Sequence, residues 1–84
     1  MDRQAIHSTV KTFILEQFLP GEDPDELTND TPLMTTGILD SLATLKLVTF
    51  LEEKFDIAVD AHEADAENLN TLDLITDLVS RKKK

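Results

Sequence analysis

Apolar residues recur at helical spacing in three stretches of the chain and lose that period between them. Ile6, Val10, Phe13, Ile14, Leu15 and Phe18 fall near i, i+4, i+7, i+8 and i+12, with His7, Lys11 and Glu16 left for the other side. The stripe predicts a first helix over residues 2–18, capped by Asp2 and stopped by Pro20-Gly21, with His7 as a solvated residue. Residues 20–40 keep no period and are punctuated by Pro20, Gly21, Pro24, Pro32 and Gly37. A loop of about twenty residues is long for a small domain, and such loops are usually functional or disordered. Leu27, Leu33, Met34, Ile38 and Leu39 are spaced through it, so an ordered loop packed across the domain is expected.

From Ser41 to Phe55 the chain has no Gly or Pro, and Asp40 and Ser41 precede the run as capping residues. This is the clearest helix. Asp56 ends it, Ile57-Ala58-Val59 forms an apolar connector, and the acidic stretch 60–69 allows a short helix around 63–67. Asn70 with Asp73 three residues on resembles a capping box, and Leu72, Ile75, Leu78 and Val79 predict a last helix over 71–81. The expected fold is all-α: a small four-helix bundle of three main helices and one short one, with the long loop between the first two. Residues 1–84 are expected to form one domain, with 81–84 as a basic tail that complements the helix dipole and frays.

On a helical wheel of about 100° per residue, Leu47, Leu51 and Phe55 of the second helix share one face, flanked by Val48 and Phe50. Leu42 lies almost opposite, with Lys46, Thr49 and Glu53, and Leu45 falls between the two faces. Either the preceding loop covers Leu42 through Ile38 or Leu39, or Leu42 belongs to an apolar patch open to partner proteins. Ser41 stands beside it at the helix N-terminus, where free N–H groups and the dipole favour an anionic group such as a phosphate.

Charge narrows the partners. The 84 residues carry seventeen acids against eight Lys and Arg, a formal charge of −9. Four of the basic residues are the terminal Arg81-Lys82-Lys83-Lys84, so residues 12–80 hold sixteen acids against Lys46 and Lys54, a net of −14. Such a surface disfavours nucleic acid and anionic membranes as partners. No apolar run approaches the roughly 20 residues of a membrane span, and Met1-Asp2-Arg3-Gln4 lacks the core of a secretory signal, so a soluble, cytoplasmic monomer is expected. There is no cysteine, hence no disulfide, thiolate metal site or cysteine nucleophile. No metal site is expected either. Asp23, Asp25 and Asp30 fail the EF-hand pattern, with Thr28 at its glycine position, and His62-Glu63 with Asp65 is a weak cation candidate.

Thr31-Pro32-Leu33, Gly37-Ile38-Leu39-Asp40-Ser41-Leu42, Leu51-Glu52-Glu53-Lys54-Phe55-Asp56-Ile57 and Leu69-Asn70-Thr71-Leu72 together resemble the acyl and peptidyl carrier proteins. The resemblance covers essentially the whole chain. It implies that Ser41 carries 4′-phosphopantetheine from coenzyme A, that Asp40 helps to present Ser41, and that the chain is not an enzyme. It further implies three kinds of partner: a phosphopantetheinyl transferase, an acyl- or aminoacyl-loading ligase, and a downstream transferase or synthase. Leu42 matches a partner-contacting position of the family, with Leu45, Lys46, Thr49 and Glu53 around it. A serine hydrolase is a poor alternative, since Ser41 has no histidine near it in sequence and no G-x-S-x-G elbow. An unmodified acidic interaction module is the rival from another class.

Two departures bear on the subtype. Fatty-acid-synthesis carriers typically show alanine before D-S-L and a strongly acidic second helix. Here Ile38-Leu39 precedes Asp40, and Lys46 and Lys54 balance Glu52 and Glu53. That is more similar to free-standing carriers of amino acids or unusual acyl groups, with type II fatty-acid or polyketide synthesis as the alternative.

Overall fold

The computed structural model describes residues 2–21 and 23–83. Its helices are α1 (Arg3–Phe18), α2 (Ser41–Phe55), α3 (Ala66–Leu69) and α4 (Leu72–Lys82), with 3-10 turns at Pro24–Glu26 and Ala61–Glu63. Among the described residues there is no strand, and the molecule is the small all-helical bundle expected from the periodicity.

Each helix starts where a short polar side chain can take over a free backbone donor. Asp2 accepts from the Ala5 N–H, Asp40 from Ala43, Asp65 from Asn68 and Thr71 from Leu74. The cap of α4 is thus Thr71, one residue later than the expected Asn70, and Asn70 is released for another role. α2 stops at Asp56, which adopts a left-handed conformation (φ 55°) and donates its N–H to the Glu52 carbonyl. The short helix expected around 63–67 is divided into the Ala61–Glu63 turn and α3, with Ala64 and Asp65 between them.

The core joins every element. Ile6, Val10 and Ile14 of α1 meet Leu47, Leu51 and Phe55 of α2, Leu69 of α3, and Leu72, Ile75, Leu78 and Val79 of α4 in one buried cluster. Each such side chain, fully buried, contributes roughly 1.5–3 kcal/mol. α4 packs chiefly on α1, and α3 packs on α4. Phe13 is only half-buried and stacks on Phe50 with ring centroids 3.9 Å apart, an aromatic seam between α1 and α2 outside the central core.

The long loop is ordered, as its apolar spacing predicted. Leu27, Leu33 and Leu39 are buried and Met34 and Ile38 pack against the core from the margin. Polar contacts add to that hold. The Asn29 carbonyl accepts the Asp73 N–H at 3.2 Å, and its side-chain oxygen meets His7 Nε2 at 2.5 Å. His7 is therefore half-buried and engaged, not solvated. Gly37 takes φ +86°, which suits glycine because a Cβ would crowd the following carbonyl.

The basic end departs from expectation. α4 runs through Lys82, and Lys82 Nζ pairs with Glu63 at 2.7 Å while Arg81 donates to Asn68 Oδ1 at 3.2 Å. These contacts and the C-terminal dipole favour helix at residues 81 and 82. The Lys82 hydrogen bond, with a second one from the Asp60 N–H, holds the Glu63 carboxyl below its usual range. Glu63 is thereby committed to structure. Lys84 lies outside the described residues.

Candidate functional site

The first turn of α2 holds Asp40 and Ser41, the residues the sequence singled out. Asp40 is extended, its carboxylate accepts the Ala43 N–H at 2.8 Å, and its carbonyl accepts the Thr44 N–H at 2.8 Å. Those two bonds fix the direction in which α2 leaves the loop. Ser41, the first helical residue, is exposed. The backbone donors of the first helical turn are not all used by the helix, so an anion attached here meets N–H groups and the positive end of the dipole.

Helical spacing then sorts the side chains that follow. Ala43, Thr44, Leu47, Leu51 and Phe55 turn inward and are buried. Leu42 and Leu45 are exposed to 67% and 63%, the large apolar side chains most open to solvent among the described residues. Leu39 is buried and Ile38 half-buried, yet neither covers Leu42, which leaves the open-patch reading standing. Lys46, Thr49 and Glu53 are exposed as well, so all five expected partner-facing residues lie on the solvent side of α2. Glu52 is different: its Oε2 accepts the Val59 N–H at 2.9 Å and fastens the 57–60 connector to α2. The charges free for a partner are then Lys46, Glu53 and Lys54, a less acidic set than the helix sequence alone implies.

A cleft of about 450 Å³ opens between α2 and the segment 59–64. Ser41, Thr44 and Leu45 lie along its α2 side, and Val59, Ala61 and Ala64 along the other. Thr44 is 8% exposed and its Oγ1 is buried with no hydrogen-bond partner. An unpaired buried hydroxyl is costly, and Thr44 is also one of the residues along the cleft that begins at Ser41. Sequence reasoning did not single out Thr44. The available signal was a polar residue one turn after Ser41 on the inward face. The cleft's other wall carries no periodic signature, because it comes from an irregular segment.

The arrangement suits attachment better than catalysis. Among the described residues no histidine, lysine or arginine lines the cleft, and its acids are Glu52, already bonded to Val59, and Asp60. What the site offers is an exposed hydroxyl at a helix N-terminus beside a mainly apolar cleft.

Comparison with known proteins leads to the same class. Residues 14–79 match the family model described as a phosphopantetheine attachment site. The chain belongs to this family of carrier proteins, whose prosthetic group is 4′-phosphopantetheine and whose members carry acyl groups without catalysing a reaction. It is 35% identical to the acyl carrier protein of Bdellovibrio bacteriovorus, over 95% of this chain and 97% of that protein. It is also 35% identical to the "Probable acyl carrier protein PigG" of a Serratia species, over 93% of this chain and 88% of that one. A D-alanyl carrier protein of Streptococcus suis is 36% identical over 83% of this chain and 85% of its own length. No helix of the described residues is long and apolar enough to cross a membrane.

Proposed function

We propose that Ser41 is the attachment serine and that the chain holds an acyl or aminoacyl group as a thioester, delivering it between enzymes in the cytoplasm. The observation that carries this reading is the exposed Ser41 at the N-terminus of α2, directly after the Asp40 cap and beside the cleft between α2 and residues 59–64. When attached, the arm supplies the thiol that a chain without cysteine lacks. Asp40 orients Ser41 through the cap, and the α2 N-terminus accommodates the phosphodiester charge. The face formed by Leu42, Leu45, Lys46, Thr49 and Glu53 receives the transferase, the loading ligase and the downstream transferase or synthase.

The cargo reading is an aminoacyl or unusual acyl group in a specialised pathway. Its support is the outer face of α2, where apolar Leu42 and Leu45 stand among few and mixed charges, so that recognition rests on shape more than on charge steering. Similarity to a D-alanyl carrier protein agrees with it. Fatty-acid or polyketide synthesis is the second reading, favoured by similarity to acyl carrier proteins.

Incubation with coenzyme A and a broad-specificity phosphopantetheinyl transferase is expected to add one phosphopantetheine to the intact mass, and none to Ser41→Ala. An unchanged wild-type mass, or a gain that persists in Ser41→Ala, would overturn the assignment. Loading the holo form with panels of aminoacyl and fatty acyl ligases then separates the two cargo readings. Loading by the fatty acyl set alone would remove the first.

A further inference from the structure

The part of the loop that leads into Ser41 is tied by hydrogen bonds to one residue of the α3–α4 junction, Asn70. Asn70 sits between α3 and α4, and three consecutive backbone donors of the loop end on it. The Leu33 N–H donates to the Asn70 carbonyl at 2.6 Å. The Met34 and Thr35 N–H groups donate to its side-chain Oδ1 at 2.8 and 3.3 Å. The segment so held is closed on itself: Gly37 donates to the Met34 carbonyl and Leu39 to the Leu33 carbonyl, with Thr36 Oγ1 on the Pro32 carbonyl. Asp40 and Ser41 follow Leu39 directly. A displacement of residues 33–35 is passed through this short closed turn to the start of α2.

We infer that Asn70 is a positioning residue for modification of Ser41, holding the 33–39 turn in the arrangement that a phosphopantetheinyl transferase must meet. The inference rests on Ser41 being the attachment serine. The carbonyl bond to Leu33 is open to any residue at position 70, so the sequence-specific part is Oδ1. A carboxylate oxygen can replace it; an aliphatic side chain cannot. Leu33 and Leu39 are buried in the core by contacts that do not involve the Asn70 Oδ1, so loss of Oδ1 is expected to loosen the turn between them and leave the fold in place. A loosened turn lowers the fraction of molecules ready for docking, and the apparent affinity for the transferase falls by that fraction. Chemistry after docking is unaffected.

The test uses full-length protein, coenzyme A and the transferase, at a temperature where every variant is folded by circular dichroism. Asn70→Ala and Asn70→Leu are expected to raise the KM of the carrier roughly tenfold with kcat unchanged, and Asn70→Asp to stay near wild type. Amide exchange at Met34 and Thr35 is expected to quicken in the Ala and Leu variants and to remain slow in Asp. Wild-type KM in the Ala and Leu variants would overturn the inference, as would exchange that does not quicken. A lowered kcat with unchanged KM would overturn it too. Failure of the underlying reading has its own signature: an unmodified wild type, or a modified Ser41→Ala, removes Ser41 as the attachment residue and the inference with it.

Discussion

Thr44 lies one turn after Ser41 with its hydroxyl buried and unpaired, an arrangement that costs roughly 1–3 kcal/mol. Valine has the same shape without the polar atom. Thr44→Val is therefore expected to leave stability unchanged or raise it by up to about 2 kcal/mol, read as a shift in the urea midpoint with an unaltered slope. A loss of more than about 1 kcal/mol would mean that the hydroxyl is satisfied in the unmodified protein. At this scale the sequence was informative wherever a residue acts on its near neighbours. Asp2 and Asp40 cap the helices they precede, and Gly37 takes positive φ, all within four residues of the donor or turn concerned. Thr44 and Asn70 were not legible, because their partners or lack of partners depend on segments far along the chain.

At the scale of the element, α2 divides cleanly between a buried face and an exposed one. Its inward residues complete the core, while Leu42 and Leu45 remain mostly exposed. Leu42→Asp is expected to change stability by less than about 1 kcal/mol, as for an exposed site, while slowing loading or transfer with partner enzymes. A loss of several kcal/mol would show that the side chain contributes to the core in solution. The helical wheel foresaw Leu42 on the outer face, since a period of 3.6 fixes which residues share a side. It left open whether the loop covered that side. The withdrawal of Glu52 from the outer charge set was likewise hidden, because it requires Val59 to return beside α2.

Across the whole molecule the charge works against compaction. The chain carries −9, and the ion pairs among the described residues, Arg3–Asp77 and Lys82–Glu63, are few and not fully buried. Exposed pairs contribute little, whereas like-charge repulsion acts over the entire surface. Screening should therefore help more than it harms. The thermal midpoint is expected to rise from low salt to about 0.15 M NaCl, where the Debye length is about 8 Å. A midpoint that falls would show that the ion pairs outweigh the repulsion.

The sequence by itself determined the three main helices and the caps at Asp2 and Asp40, because each depends on spacing within a turn or two. Those interactions form wherever the segment goes. Only the tertiary structure decided what surrounds Ser41: an uncovered Leu42, a cleft walled by residues 59–64, and a loop tied to Asn70. The expected cap at Asn70 marks the boundary between the two. Thr71 satisfies the donor of α4 equally well, which frees Asn70 for Met34 and Thr35, more than thirty residues earlier in the chain. Local rules allowed either choice, and the packing of the loop against the α3–α4 junction selected one.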